Sequence, residues 1–292
     1  MIADLQALIS PLTEADFFTA LRERKLTFLP GSEPRRFENL LNWETLNNLL
    51  EASAFPLPLL RVLRESTPVP ESLYVKQGRV SSKALSNLLN QGVSLIFNRL
   101  ENQVPALRVL CNNIASQTFE HIRAAAIVTS GRGGALKCHY DDQDLIILQI
   151  AGTKRWHVFG VSDRSPEGSP VFDRELKPGD LLFLPAREWH HCENGPYRSL
   201  HLSILFDPPN GRHIMEMLAS QLVSEEIFRR PLTRHSSVDG LATHEAALKA
   251  HLVEMVRSMS VARLMKDRAV SNAVDRIHLE GQADLALSDN RA

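Results

Sequence analysis

Two short segments, each attached to a strand-like pattern, constrain the fold of this 292-residue chain more than any other feature. The first segment, His139-Tyr140-Asp141, leads into the apolar run of residues 145–150. The second, residues 177–190, passes from a Pro-Gly turn through a short apolar strand to a Trp-His pair. A glycine-rich segment before them and a Gly-Thr-Lys-Arg-Trp segment between them complete the order of a double-stranded β-helix. We therefore predict a mainly β core of this kind, with helical additions at both ends.

The two segments together supply two imidazoles and one carboxylate. His139, Asp141 and His190 match the 2-His-1-carboxylate set that holds Fe(II) on one face and leaves the opposite coordination positions open. Period-2 alternation would place residues 139 and 141 on the same face of a strand. A His-x-Asp sequence alone is weak evidence, because it also arises by chance on ordinary β-sandwiches. The order of the surrounding strands and turns favours the metal site.

The stretch from residue 131 to residue 206 resembles the JmjC branch of the cupin-fold 2-oxoglutarate oxygenases, and within that branch the ribosomal-protein hydroxylases. The resemblance rests on His139-Tyr140-Asp141-Asp142, the apolar strand after it, and the Gly-x-Lys/Arg-x-Trp segment at residues 152–156. It implies a JmjC jelly roll that binds Fe(II) and uses 2-oxoglutarate as co-substrate. Adjacent residues of a strand cannot both face one metal, and the family pattern Pro-x-x-x-Trp-His selects His190 over His191 as the third ligand.

The same resemblance assigns the distal carboxylate of 2-oxoglutarate to Lys154, which stands fifteen residues after His139. The physical requirement agrees, because a dianionic co-substrate that is chelated at one end needs a cation at the other. Arg155 is the competing cation. Alternation along the strand places Lys154 on the face of Trp156 and turns Arg155 away from it.

Residues 199–206 alternate between an apolar face and a polar face that carries His201 and Ser203. Both side chains are expected to assist Lys154 in binding the co-substrate. The relatives commonly have Asn and Ser at these two positions, so His201 departs from the family pattern. It is either a further imidazole near the metal or a hydrogen-bonded core residue.

Four other residues are candidates for the substrate side of the site. Arg132 lies in the glycine-rich segment 131–134, which we expect to form a mobile lid over the metal. Tyr140 stands beside the ligands, near the expected mouth of the site. Asp142 is either structural or a charge at the rim, and Trp189 is either a core residue or part of the pocket wall.

The composition is that of an ordinary soluble globular protein, with 43% hydrophobic and 23% charged residues. No apolar run approaches the roughly 18 residues of a membrane span, and the N-terminus lacks the basic-then-apolar layout of a signal peptide. Cys111, Cys138 and Cys192 are widely spaced, which suggests neither a disulfide framework nor a zinc motif. We expect a cytoplasmic protein, since the reducing cytosol supplies Fe(II). A net charge of −1 argues against a nucleic-acid partner.

The chain divides into three predicted parts. Residues 1–91 form a helix and strand region that flanks the barrel, residues 92–208 form the JmjC-like core, and residues 209–292 form a helical region. The helical region either covers the barrel or forms a homodimer interface. The resemblance favours the dimer, because the ribosomal hydroxylases dimerise through helices placed after the barrel. Its two apolar stripes at helical spacing are Ile214/Leu218/Leu222 and Leu248/Leu252/Met255/Met259.

The predicted function is Fe(II)- and 2-oxoglutarate-dependent hydroxylation of a protein or peptide side chain. Asp141 disfavours halogenation, in which the carboxylate position is normally vacated for a halide. The alternative substrates are a small metabolite, a peptide natural product or tRNA. A non-catalytic cupin that uses the same barrel only as a binding module is the rival from a different class, because one fold hosts many functions.

Overall fold

The computed structural model describes residues 2–51, 55–131, 136–164, 168–230 and 238–263. The chain clusters into two compact units, Met1–Asp207 and Pro208–Ala292. All strands of the described residues lie in the first unit, which confirms the predicted mainly β core. Residues 1–91 contribute several of these strands, so they belong to the same unit as the rest of the β core.

The described strands form a sheet of eight strands, a sheet of three strands and a two-stranded hairpin. They are β1 (Thr27–Leu29), β2 (Leu60–Arg64), β3 (Thr67–Pro68), β4 (Val75–Lys76), β5 (Arg79–Val80), β6 (Ser94–Phe97), β7 (His121–Thr129), β8 (Asp144–Ala151), β9 (Lys154–Val161), β10 (Phe172–Leu176), β11 (Leu181–Leu184), β12 (Glu188–Asn194) and β13 (Ser199–Asp207). The large sheet has the order β1-β11-β8-β13-β7-β6-β2-β3, and the small sheet has the order β10-β9-β12. Every pairing between these strands is antiparallel, as a jelly roll requires.

The two sheets pack against each other through an apolar layer. Ile147 of β8 and Leu182 and Leu184 of β11 contact Trp156 and Val158 of β9, and all five are buried. Burial of one such side chain contributes about 1.5–3 kcal/mol. This layer fixes the distance between the sheets at one end of the jelly roll.

A second apolar layer lies between the large sheet and the helices of the first unit. Phe17 is fully buried there, with its ring edge-on to Phe183 at 5.3 Å between centroids and 6.0 Å from Phe206. Its helix begins after the N-cap Thr13, whose hydroxyl accepts from the Asp16 backbone N–H at 3.2 Å and donates to the Asp16 carboxylate at 2.6 Å. The helices are α1 (Leu5–Ile9), α2 (Glu14–Glu23), α3 (Trp43–Glu51), α4 (Ser82–Asn90) and α5 (Pro105–Thr118).

The structure corrects the expected strands around the metal-ligand segments. The strand that contains the apolar run of residues 145–150 begins only at Asp144, whose carboxylate accepts from the Ala186 backbone N–H at 2.7 Å. His139 and Asp141 therefore precede the strand, and the argument that placed both on one strand face is wrong. Neither β10 nor the full length of β12 is evident from the sequence pattern. Both are polar at most positions, because one face of the small sheet is solvent-facing and the other lines a polar cavity.

The second unit is helical, with α6 (Gly211–Leu222), α7 (Glu226–Arg229) and α8 (Val238–Ser258). Leu218 of the first predicted stripe is buried, whereas Leu252 and Met259 of the second are 40% and 37% exposed. None of the helices among the described residues is long and apolar enough to cross a membrane.

Candidate metal centre

His139 and His190 are directly opposite each other on two antiparallel backbone segments. The His139 N–H donates to the His190 carbonyl at 3.0 Å, and the His190 N–H donates to the His139 carbonyl at 2.7 Å. The Arg187 N–H donates to the carbonyl of Asp141 at 2.6 Å and ties the third candidate ligand to the same region. Backbone hydrogen bonds thus bring together residues that are remote in sequence.

Each candidate imidazole is oriented by a backbone carbonyl. His139 Nδ1 lies 2.8 Å from the Lys137 carbonyl, and His190 Nδ1 lies 2.9 Å from the Glu188 carbonyl. Because a carbonyl only accepts, both Nδ1 atoms must donate, and each Nε2 keeps its lone pair for a metal. The Asp141 carboxylate is 3.7 Å from His190 Nε2, and one ligand atom from each of the three residues lies within 4.8 Å of the others.

The surroundings keep His190 ready for coordination. Its side chain is buried, and burial together with the neighbouring His139 lowers the pKa of His190 below its ordinary value. The imidazole is therefore neutral at physiological pH, which is the form that binds a metal. Two imidazoles and one carboxylate fit Fe(II) with coordination positions left for other ligands.

Lys154 lies at the start of β9 with only 2% of its surface exposed. Its Nζ is 3.1 Å from His201 Nδ1, and no carboxylate of the described residues pairs with it. Burial lowers the pKa of Lys154, and burial with the charge of Lys154 holds the pKa of His201 well below its ordinary range. A carboxylate bound here would supply the charge that this buried amine lacks among the described residues.

A tight turn between β8 and β9 sets the direction of Lys154. Gly152 has φ of +65°, and a Cβ at this position would collide with the Arg198 carbonyl oxygen, so only glycine fits. From this turn Lys154 points into the jelly roll and Arg155 points outward. Arg155 forms two hydrogen bonds with Asp173 at 2.6 and 3.0 Å on the outer face of the small sheet.

The three candidate ligands and Lys154 line one cavity of about 430 Å³. His201 and Ser203 of β13 line the same cavity, and both are buried. Sequence reasoning missed several polar residues of its wall, although alternation along β2 and β7 identifies residues such as Arg61 and Arg123 once the strands are known. The missed polar residues are Arg61, Ser66, Ser94, Asn98, Arg123, Thr129, Gln143 and Asn194.

Three of the residues expected on the substrate side, Tyr140, Asp142 and Trp189, are not among the residues that line this cavity. Tyr140 is 40% exposed and packs edge-on against Trp189 at 5.1 Å between ring centroids, and the Trp189 indole N–H donates to the Ser162 carbonyl at 2.8 Å. Asp142 is exposed at the surface. Arg132, with the expected lid, lies outside the described residues.

Comparison with known proteins finds a family match over the part of the chain that carries the three candidate ligands. Residues 101–214 match the JmjC domain family. The chain is 24% identical over 262 residues to the bifunctional lysine-specific demethylase and histidyl-hydroxylase NO66 of Drosophila mojavensis, covering 79% of this chain and 28% of that protein. It is 26% identical over 215 residues to ribosomal oxygenase 2 of Mus musculus, covering 68% of this chain and 46% of that protein. The chain thus spans less than half the length of these curated relatives.

The fold is also similar to solved structures of the ribosomal oxygenase YcfD from Escherichia coli. One of them covers 85% of this chain and 68% of that chain, with a TM-score of 0.56 and 18% sequence identity. Another, in complex with cobalt and 2-oxoglutarate, also gives a TM-score of 0.56, with 17% identity over 85% of this chain and 68% of that chain. At this level of identity the likeness establishes the jelly-roll fold.

Proposed function

We propose that this chain, whose residues 101–214 form a JmjC domain, is an Fe(II)- and 2-oxoglutarate-dependent oxygenase that hydroxylates a side chain of a protein or peptide. One observation carries the proposal: the same cavity is lined by a 2-His-1-carboxylate set and by a buried lysine that no carboxylate of the described residues pairs with. His139, Asp141 and His190 would hold the iron. Fe(II) in such a site supplies O₂ activation coupled to oxidative decarboxylation of 2-oxoglutarate to succinate and CO₂.

In this proposal each residue of the cavity has a separate role in binding the co-substrate. The Lys154 ammonium would pair with the distal carboxylate of 2-oxoglutarate, since a charge-assisted hydrogen bond is strongest where water is excluded. His201 would accept from Lys154 and hold it in place, and the Ser203 hydroxyl would add a hydrogen bond to the co-substrate. Trp156 lies beside both imidazoles, with ring centroids 5.7 Å from His190 and 5.5 Å from His201, and would exclude water from them.

The relatives support a protein or peptide as the substrate. The names of the Drosophila and mouse proteins describe a histidyl-hydroxylase and a ribosomal oxygenase. The cavity wall carries Arg61 and Asn98, polar groups that could bind the backbone or side chain of an inserted residue. We further propose a cytoplasmic location, where Fe(II) and the three free cysteines stay reduced.

Succinate release tests the activity directly. Purified protein supplied with Fe(II), 2-oxoglutarate and O₂ should form succinate, and omission of Fe(II) or addition of a chelator should abolish the signal. A non-catalytic binding module would bind the metal and release no succinate above the protein-free control. Mass spectrometry of proteins, peptides and tRNA from cells with and without the gene should then show a +16 Da shift on a protein or peptide. A shift confined to tRNA or a metabolite would overturn the assignment of the substrate.

We also propose that the chain forms a homodimer through the helices within residues 211–270. Helix α8 and the residues just after it expose several apolar side chains, and burial of such a stripe against a second copy would stabilise a dimer. The exposed residues are Leu241, Leu252, Val253, Val256, Met259 and Val261.

The double variant Leu252→Glu/Met259→Glu should be a monomer with a folded β core, because charges would be placed in the apolar interface. Light scattering at micromolar concentration measures the mass, and circular dichroism checks the fold. The matched control Lys249→Glu changes an exposed charge on the same helix and should remain dimeric. A monomeric wild-type protein would refute the dimer, and unfolding of the double variant would show that the stripe packs within its own chain.

A further inference from the structure

The outer face of the small sheet carries a row of aligned side chains that the proposed oxygenase does not use. Asp173 of β10 and His191 of β12 are the cross-strand neighbours of His157 on the central strand β9. Glu193 stands two residues after His191 and therefore on the same face. Strand alternation directs His190 and Cys192 to the opposite face, which lines the cavity of the candidate metal centre.

Each ring nitrogen of His157 faces one carboxylate. Its Nδ1 is 3.5 Å from Asp173 Oδ1, and its Nε2 is 3.6 Å from Glu193 Oε1. The side chain is 13% exposed, and Nε2 has no hydrogen-bond partner among the described residues. A buried ring nitrogen without a partner is costly unless something binds to it.

His191 completes a set of three nitrogen and oxygen donors. Its ring stacks on that of His157 with centroids 4.6 Å apart and an angle of 18° between the planes. One ligand atom from each of His157, His191 and Glu193 lies within 4.8 Å of the others.

We propose that His157, His191 and Glu193 bind a second transition-metal ion of the Zn²⁺ class. Two imidazoles and one carboxylate are a donor set that Zn²⁺ accepts, with water in the fourth position. Asp173 orients the His157 ring through Nδ1, as carboxylates commonly do for metal-binding histidines. Asp173 is itself held by the two hydrogen bonds from Arg155, so the orienting group has a fixed position.

The proposed ion would join β9 to β12 on the outside of the jelly roll. These strands carry Lys154 and His190 on their inner faces, so a metal here would fix the two strands that supply the cation and one ligand of the inner cavity. Ring stacking is sufficient to explain why His157 and His191 pack together. It does not explain why carboxylates face both nitrogens of His157.

Zinc binding by matched variants tests the site without reference to oxygenase activity. The wild-type protein dialysed against micromolar Zn²⁺ should hold two ions per chain, one in each group. His139→Ala should hold one ion, and His139→Ala/His157→Ala should hold none. His251→Ala removes a surface histidine outside both groups and should still hold two. Mass spectrometric metal analysis after dialysis gives the counts, and circular dichroism verifies that each variant is folded.

A second measurement keeps the test valid if the His157 variant fails to fold. In the His139→Ala protein, one equivalent of Zn²⁺ should shift the imidazole NMR signals of His157 and His191 and leave that of His251 unchanged. In His139→Ala/Glu193→Gln the affinity for Zn²⁺ should fall about tenfold or more, because the anionic donor is lost. A single ion in the wild-type protein, or unshifted signals of His157 and His191, would overturn the proposal.

Discussion

Asp141→Ala should lower the rate of succinate formation by about a hundredfold or more, and the loss should persist at saturating 2-oxoglutarate. The substitution removes the only carboxylate of the three candidate ligands and leaves the two imidazoles. Loss of outer groups that merely orient metal ligands typically costs ten- to a hundredfold in affinity or activity, so loss of a ligand should cost at least as much. Succinate release at fixed Fe(II), together with the Fe(II) affinity of the variant, measures the effect.

Asp142→Ala is the matched control for this experiment. It removes a carboxylate from the next residue, but Asp142 is exposed and does not line the cavity. Its activity should stay within about twofold of the wild type. If Asp141→Ala retained more than a tenth of the activity, Asp141 would not be an iron ligand and the proposed donor set would be wrong.

The sequence was most informative where the chemistry depends on local spacing. The His-x-Asp segment, the Gly-Thr-Lys-Arg-Trp turn and the alternation that separates Lys154 from Arg155 are all short-range features. Gly152 shows why such a feature works, because a collision with the Arg198 carbonyl permits no side chain at that turn. Alternation requires only that the strand be recognised, and both Lys154 and Arg155 lie in β9.

The errors arose where tertiary contacts decide the local structure. His139 and Asp141 are held by backbone hydrogen bonds to His190 and Arg187, not by a regular strand of their own. Strand β12 has a register shift between Trp189 and His190, which obscures its alternation. Sequence periodicity carries no information on either feature.

The part of the cavity wall that carries Arg61 and Asn98 could also not be predicted from local sequence patterns. Arg61 and Asn98 reach the cavity because β2 and β6 join the large sheet beside β7. That pairing follows from the folding of the first hundred residues onto the jelly roll. Without it, nothing in the sequence separates Arg61 from any other exposed arginine of the chain.

Lys154→Ala should raise the 2-oxoglutarate concentration for half-maximal succinate formation at least tenfold. A tenfold change corresponds to about 1.4 kcal/mol, which is the lower part of the range for a hydrogen bond to a charged group. The buried position of Lys154 argues for a larger loss of binding free energy than this, because water cannot replace the lost ammonium. A titration of 2-oxoglutarate at saturating Fe(II) separates this effect from a loss of metal.

Arg155→Ala is the control that distinguishes the two neighbouring cations. Arg155 is bound to Asp173 on the outer face of the small sheet, so its removal should leave the 2-oxoglutarate requirement within about twofold. If the Lys154→Ala variant needed no more 2-oxoglutarate than the wild type, the distal carboxylate of 2-oxoglutarate would be assigned to another cation of the cavity wall, such as Arg61 or Arg123. In the proposed function, the direction of the Lys154 side chain at the start of β9 would therefore place the co-substrate at that end of the cavity and leave the rest for the substrate.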